Sequence, residues 1–272
     1  MKKDELIISA IELEGRIDDG DETLRLFDCR WSLTDPSLGQ KQFDERHIPT
    51  AQYMPLEPAL SDPAGKRGRH PLPEKSRFAA TLGAFGVANT SDVVVYDDGS
   101  STYACRLWWM LRWVGHSKVR LLDGGLTQWD DWYFDTSQVV EQVESTHFEV
   151  RPSLTRVYEA DDLLTTEYPI IDARAQDRFK GRNETLDHTA GHIPNARCFP
   201  FDANTRGDKC FTRSQVRFRE FIDQDAIVCY CGSGVTATNN IMALMLAGFP
   251  EPILYPGSWS EWIEDPTRPI EL

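Results

Sequence analysis

The chain has 272 residues, a formal charge of −14 and an apolar fraction of 40%. That length suits one large or two ordinary domains, and the acidic balance argues against nucleic acid or an anionic membrane surface as a partner. No apolar run approaches the roughly 20 residues needed to span a bilayer, and Met1-Lys2-Lys3-Asp4-Glu5 lacks the apolar core of a signal peptide.

In chain order, residues 6–18 read as a short helix or a strand–helix entry carrying Ile7, Ile8, Ile11 and Leu13. Leu24 to Cys29 is an apolar strand that ends at Asp28-Cys29-Arg30-Trp31. A loop rich in Gly, Asp and Pro leads to Arg46-His47-Ile48-Pro49. Residues 57–74 read as a long loop with Asp62, Lys66, Arg67, Arg69 and His70. Residues 75–85 have helical spacing. Val93-Val94-Val95-Tyr96 is a strand, and Tyr103 to Val114 is an aromatic-rich helix closed by Gly115. Val119 to Leu122 is a further strand, followed by Asp123-Gly124-Gly125.

The second half repeats this order. Ile171-Asp172-Ala173-Arg174 matches Phe27-Asp28-Cys29-Arg30, and Gly191-His192-Ile193-Pro194 matches Arg46-His47-Ile48-Pro49. The apolar run Ala226 to Tyr230 and the helical pattern Thr236 to Ala247 match the strand at 93–96 and the helix at 103–114. The period is far too long for a solenoid and marks a duplicated domain. Strands alternating with helices predict an α/β fold, each copy a mainly parallel sheet flanked by helices. The expected division is 1–140 and 158–272, with a polar linker at 141–157. His47 and His192 occupy equivalent places, so their shared role is expected to be structural. The same holds for the pairs Asp28–Arg30 and Asp172–Arg174.

The six cysteines, Cys29, Cys105, Cys198, Cys210, Cys229 and Cys231, have irregular spacing and no Cys-x-x-Cys or His/Cys metal pattern. They read as reduced thiols of a cytoplasmic protein, with no metal or cofactor expected. Cys231 differs from the others in its setting. It stands where a buried strand ends, and Gly232-Ser233-Gly234-Val235-Thr236 joins it to a helix N-terminus. Free backbone N–H groups and the helix dipole favour a thiolate there. Copy one has Asp97 at the equivalent position. One site is therefore expected, in the second half.

These motifs, in this order and in two copies, resemble the two-domain rhodanese-type sulfurtransferases over essentially the whole chain. The loop at 231–237 is similar to that of 3-mercaptopyruvate sulfurtransferases. The resemblance implies two tandem rhodanese-like domains and a cysteine, Cys231, that cycles between thiolate and persulfide. A small-molecule donor supplies the sulfur, and an acceptor thiol, of a thioredoxin-like protein for example, or cyanide removes it. The amides of Gly232, Gly234, Val235 and Thr236 would cradle the outer sulfur. Thiosulfate-using relatives place basic side chains just after the cysteine, where this chain has Gly232 and Ser233, which favours 3-mercaptopyruvate as donor and leaves thiosulfate as the alternative.

The resemblance also assigns Arg178 to the donor's carboxylate, Tyr103 to its neighbourhood, and Ser233, His70 and Asp62 to a proton relay. It includes a second arginine that this chain lacks in its 182–188 loop; Arg182, Arg67 and Arg69 are the candidates to replace it. Two other classes are weighed. A phosphatase of the related type needs an arginine six residues after the cysteine, where this chain has Ala237. A sulfur carrier without catalysis would take sulfur only from a protein.

Overall fold

The structure, a computed structural model, describes residues 5–272. Residues 1–4, part of the stretch read above for a signal peptide, lie outside the described residues. The chain forms two compact units. Unit 1 is built from Met1–Ser61, Pro73–Leu154 and Thr205–Phe211, and unit 2 from Asp62–Leu72, Thr155–Asn204 and Thr212–Leu272.

Unit 1 holds strands β1 (Ile7–Ile8), β2 (Leu24–Asp28), β3 (Gln52–Tyr53), β4 (Asp92–Tyr96) and β5 (Val119–Leu122). They form one sheet in the order β1-β5-β4-β2-β3, parallel at every pairing. Helices α1 (Ala10–Asp18), α2 (Leu38–Glu45), α3 (Lys75–Ala84) and α4 (Thr102–Trp113) connect them, and α5 (Gly125–Asp131) follows β5. Unit 2 repeats the layout with β6 (Arg156–Val157), β7 (Ile170–Asp172), β8 (Arg197–Cys198), β9 (Val228–Tyr230) and β10 (Ile253–Leu254), in the order β6-β10-β9-β7-β8. Its helices are α6 (Ala160–Thr165), α7 (Gln176–Phe179), α8 (Ala237–Leu246) and α9 (Ser258–Trp262). Strand for strand, the two sheets have the same order and direction, which is the structural form of the sequence repeat.

The central strands read as continuous apolar runs because both faces of each sheet are covered. Val93 to Tyr96 and Val228 to Tyr230 are all buried, and so is every residue of α8. One core contains Leu26, Phe43, Val94, Tyr96 and Trp129, the other Val228, Tyr230, Trp259 and Trp262.

Two clamps recur in both units. Asp28 accepts from Arg30 Nε and Nη2 at 2.6–3.0 Å, and Asp172 accepts from Arg174 at 2.7–3.2 Å. These pairs are buried at strand ends. Loss of one partner would cost about 3–5 kcal/mol, because the other charge would remain buried. His47 stacks on Phe43 and its Nδ1 bonds to Phe43 O at 2.7 Å; His192 stacks on Phe179 and its Nδ1 bonds to Phe179 O at 2.9 Å. Both histidines pin a loop, as expected from their equivalent places.

The structure departs from the sequence reading in three places. Helix α2 lies inside the stretch read as loop after Arg30; only Leu38 and Phe43 are apolar among its eight residues, so it shows no stripe. Residues 141–154 lie with unit 1 as an ordered coil: Thr146 N–H donates to Gly83 O at 2.8 Å, and Phe148 is buried. Asp62–Leu72, from the first copy's sequence, belongs to unit 2.

In the loop after β4, Asp97 is buried and its carboxylate fills the cradle of backbone amides. Oδ1 accepts from Gly99 and Ser101 N–H at 3.0 and 2.8 Å, and Oδ2 from Tyr103 and Ala104 N–H at 3.2 and 3.3 Å. Burial, then the Asp98 charge, pushes Asp97 up to about 6 against the pull of those amides. The folded value lies above the unfolded one of about 4, so the folded chain holds an extra proton between about pH 4 and 6 and loses stability as pH rises through that window. Asp97→Asn removes this titration. The variant's unfolding free energy relative to wild type should rise by about 2–3 kcal/mol from pH 4 to pH 7 in urea titrations; a constant difference would contradict the assignment.

Candidate active site

Unit 2 places Cys231 one residue beyond the end of β9, at the C-terminal edge of its sheet, where ligands bind in open parallel α/β folds. The cysteine is 2% exposed. Its N–H donates to Ser258 Oγ at 3.0 Å, and its carbonyl accepts from Trp259 N–H at 3.0 Å. The Gly232 carbonyl accepts from Ser260 N–H at 2.9 Å. The start of α9 thus holds the first two residues of the loop. Gly234 lies at φ 74°, and a β-carbon there would stand 2.2 Å from Pro256 O, so the loop's second turn needs glycine for both dihedral and space.

Among the described residues, the N–H groups of Gly232, Ser233, Val235 and Thr236 donate to no protein acceptor. The equivalent loop in unit 1 shows what such amides can hold, because there the Asp97 carboxylate occupies them. A thiol in place of the carboxylate leaves the cradle of unit 2 available to an anion bound from outside or carried on the sulfur.

The excursion Asp62–Leu72 brings three residues expected from sequence into unit 2. His70 is 5% exposed, and its Nδ1 lies 2.7 Å from Ser233 Oγ, in hydrogen-bond contact. Asp62 is tied to the same segment, its N–H donating to Pro71 O at 3.0 Å, and Oδ2 accepts from Arg67 Nη2 at 2.6 Å. The segment is anchored on α9, with Arg69 N–H donating to Ser260 Oγ at 3.0 Å. Gly68, at φ 93°, packs so closely that a β-carbon would meet Gly257 O and Ser260 Oγ at 2.8 Å.

Arg178, on α7, donates through Nε and Nη2 to both Glu184 oxygens at 2.9–3.2 Å, and through Nη2 to Asp187 Oδ2 at 3.1 Å. Arg69 Nη1 donates to Asp187 Oδ1 at 2.6 Å. Burial raises Glu184, but the bonds from Arg178 and from the Leu186 and Asp187 amides outweigh it and hold the carboxyl below its usual range. A β-carbon on Gly232 would stand 3.0 Å from Arg69 Nη2 and 3.5 Å from Arg178 Nη1, so both guanidiniums border the cysteine loop. Of the three candidates for a second cation, Arg69 lies there. Arg182 is exposed, and Arg67, 61% exposed at its side chain, is spent on Asp62 and Leu72 O.

Tyr103 stands in unit 1, in the first turn of α4, where its N–H supports Asp97; burial, then Asp97 and Asp98, pushes its phenol up to about 12. Burial likewise pushes the thiols of Cys29, Cys105 and Cys229 well up, and those of Cys198 and Cys210 up to about 11. Among the described residues, no group of three or more His, Cys, Asp or Glu could hold a metal, and no helix is long and apolar enough to cross a membrane. Sequence reasoning missed Glu184, Asp187, Ser258 and Ser260. The last two sit in the Gly257-Ser258-Trp259-Ser260-Glu261-Trp262 stretch, whose Trp259 and Trp262 are buried in the core of unit 2.

The rhodanese-like domain family matches residues 9–131 and 156–265. The probable 3-mercaptopyruvate sulfurtransferase of Pseudomonas aeruginosa is 41% identical over 277 residues, covering 97% of each chain. The putative thiosulfate sulfurtransferase SseB of Mycobacterium tuberculosis is 36% identical, over 98% of this chain and 96% of its own. The crystal structure of SseA from Escherichia coli, a 3-mercaptopyruvate sulfotransferase, superposes with a TM-score of 0.78 at 31% identity, covering 94% of this chain and 99% of SseA. Two family matches fall on the two copies of one parallel α/β layout, and relatives of this similarity run the full length of the chain, which therefore belongs to the rhodanese-like family as a two-domain sulfurtransferase.

Proposed function

We propose that the chain takes sulfur from 3-mercaptopyruvate onto Cys231 as a persulfide, passes it to a thiol or to cyanide, and releases pyruvate. The observation that carries this reading is the surround of the cysteine loop: open amides behind it, two guanidiniums beside Gly232, and a His70–Ser233 pair two residues on. The relatives named as 3-mercaptopyruvate sulfurtransferases support the same donor.

In this scheme the Cys231 thiolate attacks the donor's sulfur. An S–S bond forms, the C–S bond breaks, and its electron pair stays on carbon as the enolate of pyruvate. One proton must leave the mercapto sulfur and one must reach that carbon. Ser233 and His70, hydrogen-bonded to each other, are suited to move it. Asp62 stands in the same segment as His70 and is assigned to support it. The persulfide anion then rests on the amides of the loop, in the role the Asp97 carboxylate plays in unit 1. Arg178 serves the carboxylate of the donor, a pairing for which a planar fork is suited.

In the second half-reaction an acceptor thiolate attacks the outer sulfur and restores Cys231. A dithiol of the thioredoxin type fits this step, since its second thiol can close a disulfide and release hydrogen sulfide. We place the reaction in the cytoplasm, in keeping with six free thiols.

Thiosulfate is the second reading, and the name of the Mycobacterium tuberculosis relative favours it. Steady-state kcat/KM for each donor with one thiol acceptor decides between them. A higher value for thiosulfate would reject mercaptopyruvate as the preferred donor.

Cys231→Ser should abolish turnover. Mass spectrometry after incubation with mercaptopyruvate should find an adduct of about 32 Da on wild type and none on the variant. An adduct that persists in the variant would move the persulfide to another cysteine.

Ser233→Ala tests the proton relay. Mercaptopyruvate turnover should fall about 100-fold, while turnover of thiosulfate, whose sulfite leaves without protonation at carbon, should stay within about threefold. An equal fall with both donors would assign Ser233 to shaping the loop instead.

A further inference from the structure

We infer that Arg69 is a specificity-determining residue: its guanidinium and that of Arg178 form a two-pronged clamp for the carboxylate of the sulfur donor. The inference rests on the function proposed above and assigns the second cation of the same site.

Hydrogen-bond accounting carries it. Arg178 spends Nε and Nη2 on Glu184 and Asp187, and Arg69 spends Nη1 on Asp187. Among the described residues no acceptor takes Arg178 Nη1 or Arg69 Nη2. These two nitrogens are among the atoms nearest the missing side chain of Gly232, at 3.5 and 3.0 Å. Arg69 Nε is buried and also has no acceptor among the described residues, and one open donor from each arginine, Arg69 Nη2 and Arg178 Nη1, borders the same place beside the loop that begins at Cys231. An anion with two oxygens can accept one bond from each.

The acidic neighbours do not compete for that place. Asp187 has one oxygen on each arginine, and both oxygens of Glu184 face Arg178. Asp187 thus acts as a brace that fixes the spacing of the two guanidiniums. Side-chain exposure of 21% for Arg69 and 18% for Arg178 keeps water access while limiting screening. Gly232 completes the arrangement, since a side chain there would occupy the place itself.

The test compares two donors that differ only at the clamp: 3-mercaptopyruvate, and mercaptoacetone, which has a methyl group in place of the carboxylate. In Arg69→Gln, kcat/KM for mercaptopyruvate should fall about 10- to 100-fold, mainly through KM, while mercaptoacetone stays within about twofold. Arg69→Lys keeps the charge and should recover part of the loss; it also serves if the Gln variant folds poorly. Pyruvate binding, measured by calorimetry on the wild type and both variants, reads the clamp without turnover and should weaken at least about 10-fold in Arg69→Gln. An equal fall for both donors, or unchanged pyruvate affinity, would overturn the clamp and leave Arg69 as an anchor of its segment. If wild type binds pyruvate through Arg69 but forms no persulfide from mercaptopyruvate, the donor assignment fails and the clamp stands.

Discussion

Three hydrogen bonds to the start of α9 decide how the cysteine is presented. The N–H of Cys231 goes to Ser258 Oγ, and the carbonyls of Cys231 and Gly232 go to the amides of Trp259 and Ser260. A buried backbone must satisfy its polar groups, and here the partners all lie on one side. Of the amides that follow, those of Gly232, Ser233, Val235 and Thr236 donate to no acceptor among the described residues. The same α9 turn also receives Arg69 N–H on Ser260 Oγ. One helix of five residues thus seats both the nucleophile and the segment that carries His70.

The duplication supplies its own control. Both units have the same strand order, the same Asp–Arg clamp and the same His–Phe stack. They differ at the residue after the central strand. In unit 1 the Asp97 carboxylate, attached to the chain, saturates the amide cradle permanently. In unit 2 the thiol is too short and too weak an acceptor to do so, and the cradle remains open to an anion. At the first position of the loop, an aspartate in one unit and a cysteine in the other separate filled amides from open ones.

Much of this was legible in the sequence. Buried parallel strands are apolar runs, so β2, β4, β5, β7 and β9 stood out, and the repeated His-Ile-Pro and Asp-x-Arg motifs revealed two copies. Ser233 was legible from the match of the 231–237 loop to that of the family, a local stretch with no insertion to blur the correspondence. Helix α2 was hidden, since its only buried residues are Gly39 and Phe43, which make no apolar stripe. The Asp62–Leu72 excursion was hidden for another reason: its conformation is set by α9, nearly 200 residues away, and no period of its own betrays it. The sequence could not choose among Arg67, Arg69 and Arg182. The one local hint was Gly68, whose lack of a side chain permits the close approach to α9 that aims Arg69 inward.

The crossing of the chain between units bears on how such an enzyme can evolve. The second copy owns Cys231, Ser233 and Arg178, but His70 and Arg69 are encoded in the first copy's stretch of gene. A truncation to the second copy would keep Cys231, Ser233 and Arg178 and discard the segment that places His70 against Ser233 and Arg69 beside Gly232. The first copy, with Asp97 where the second has Cys231, thus supplies residues that border the second copy's cysteine loop. That donation is the eleven residues Asp62–Leu72.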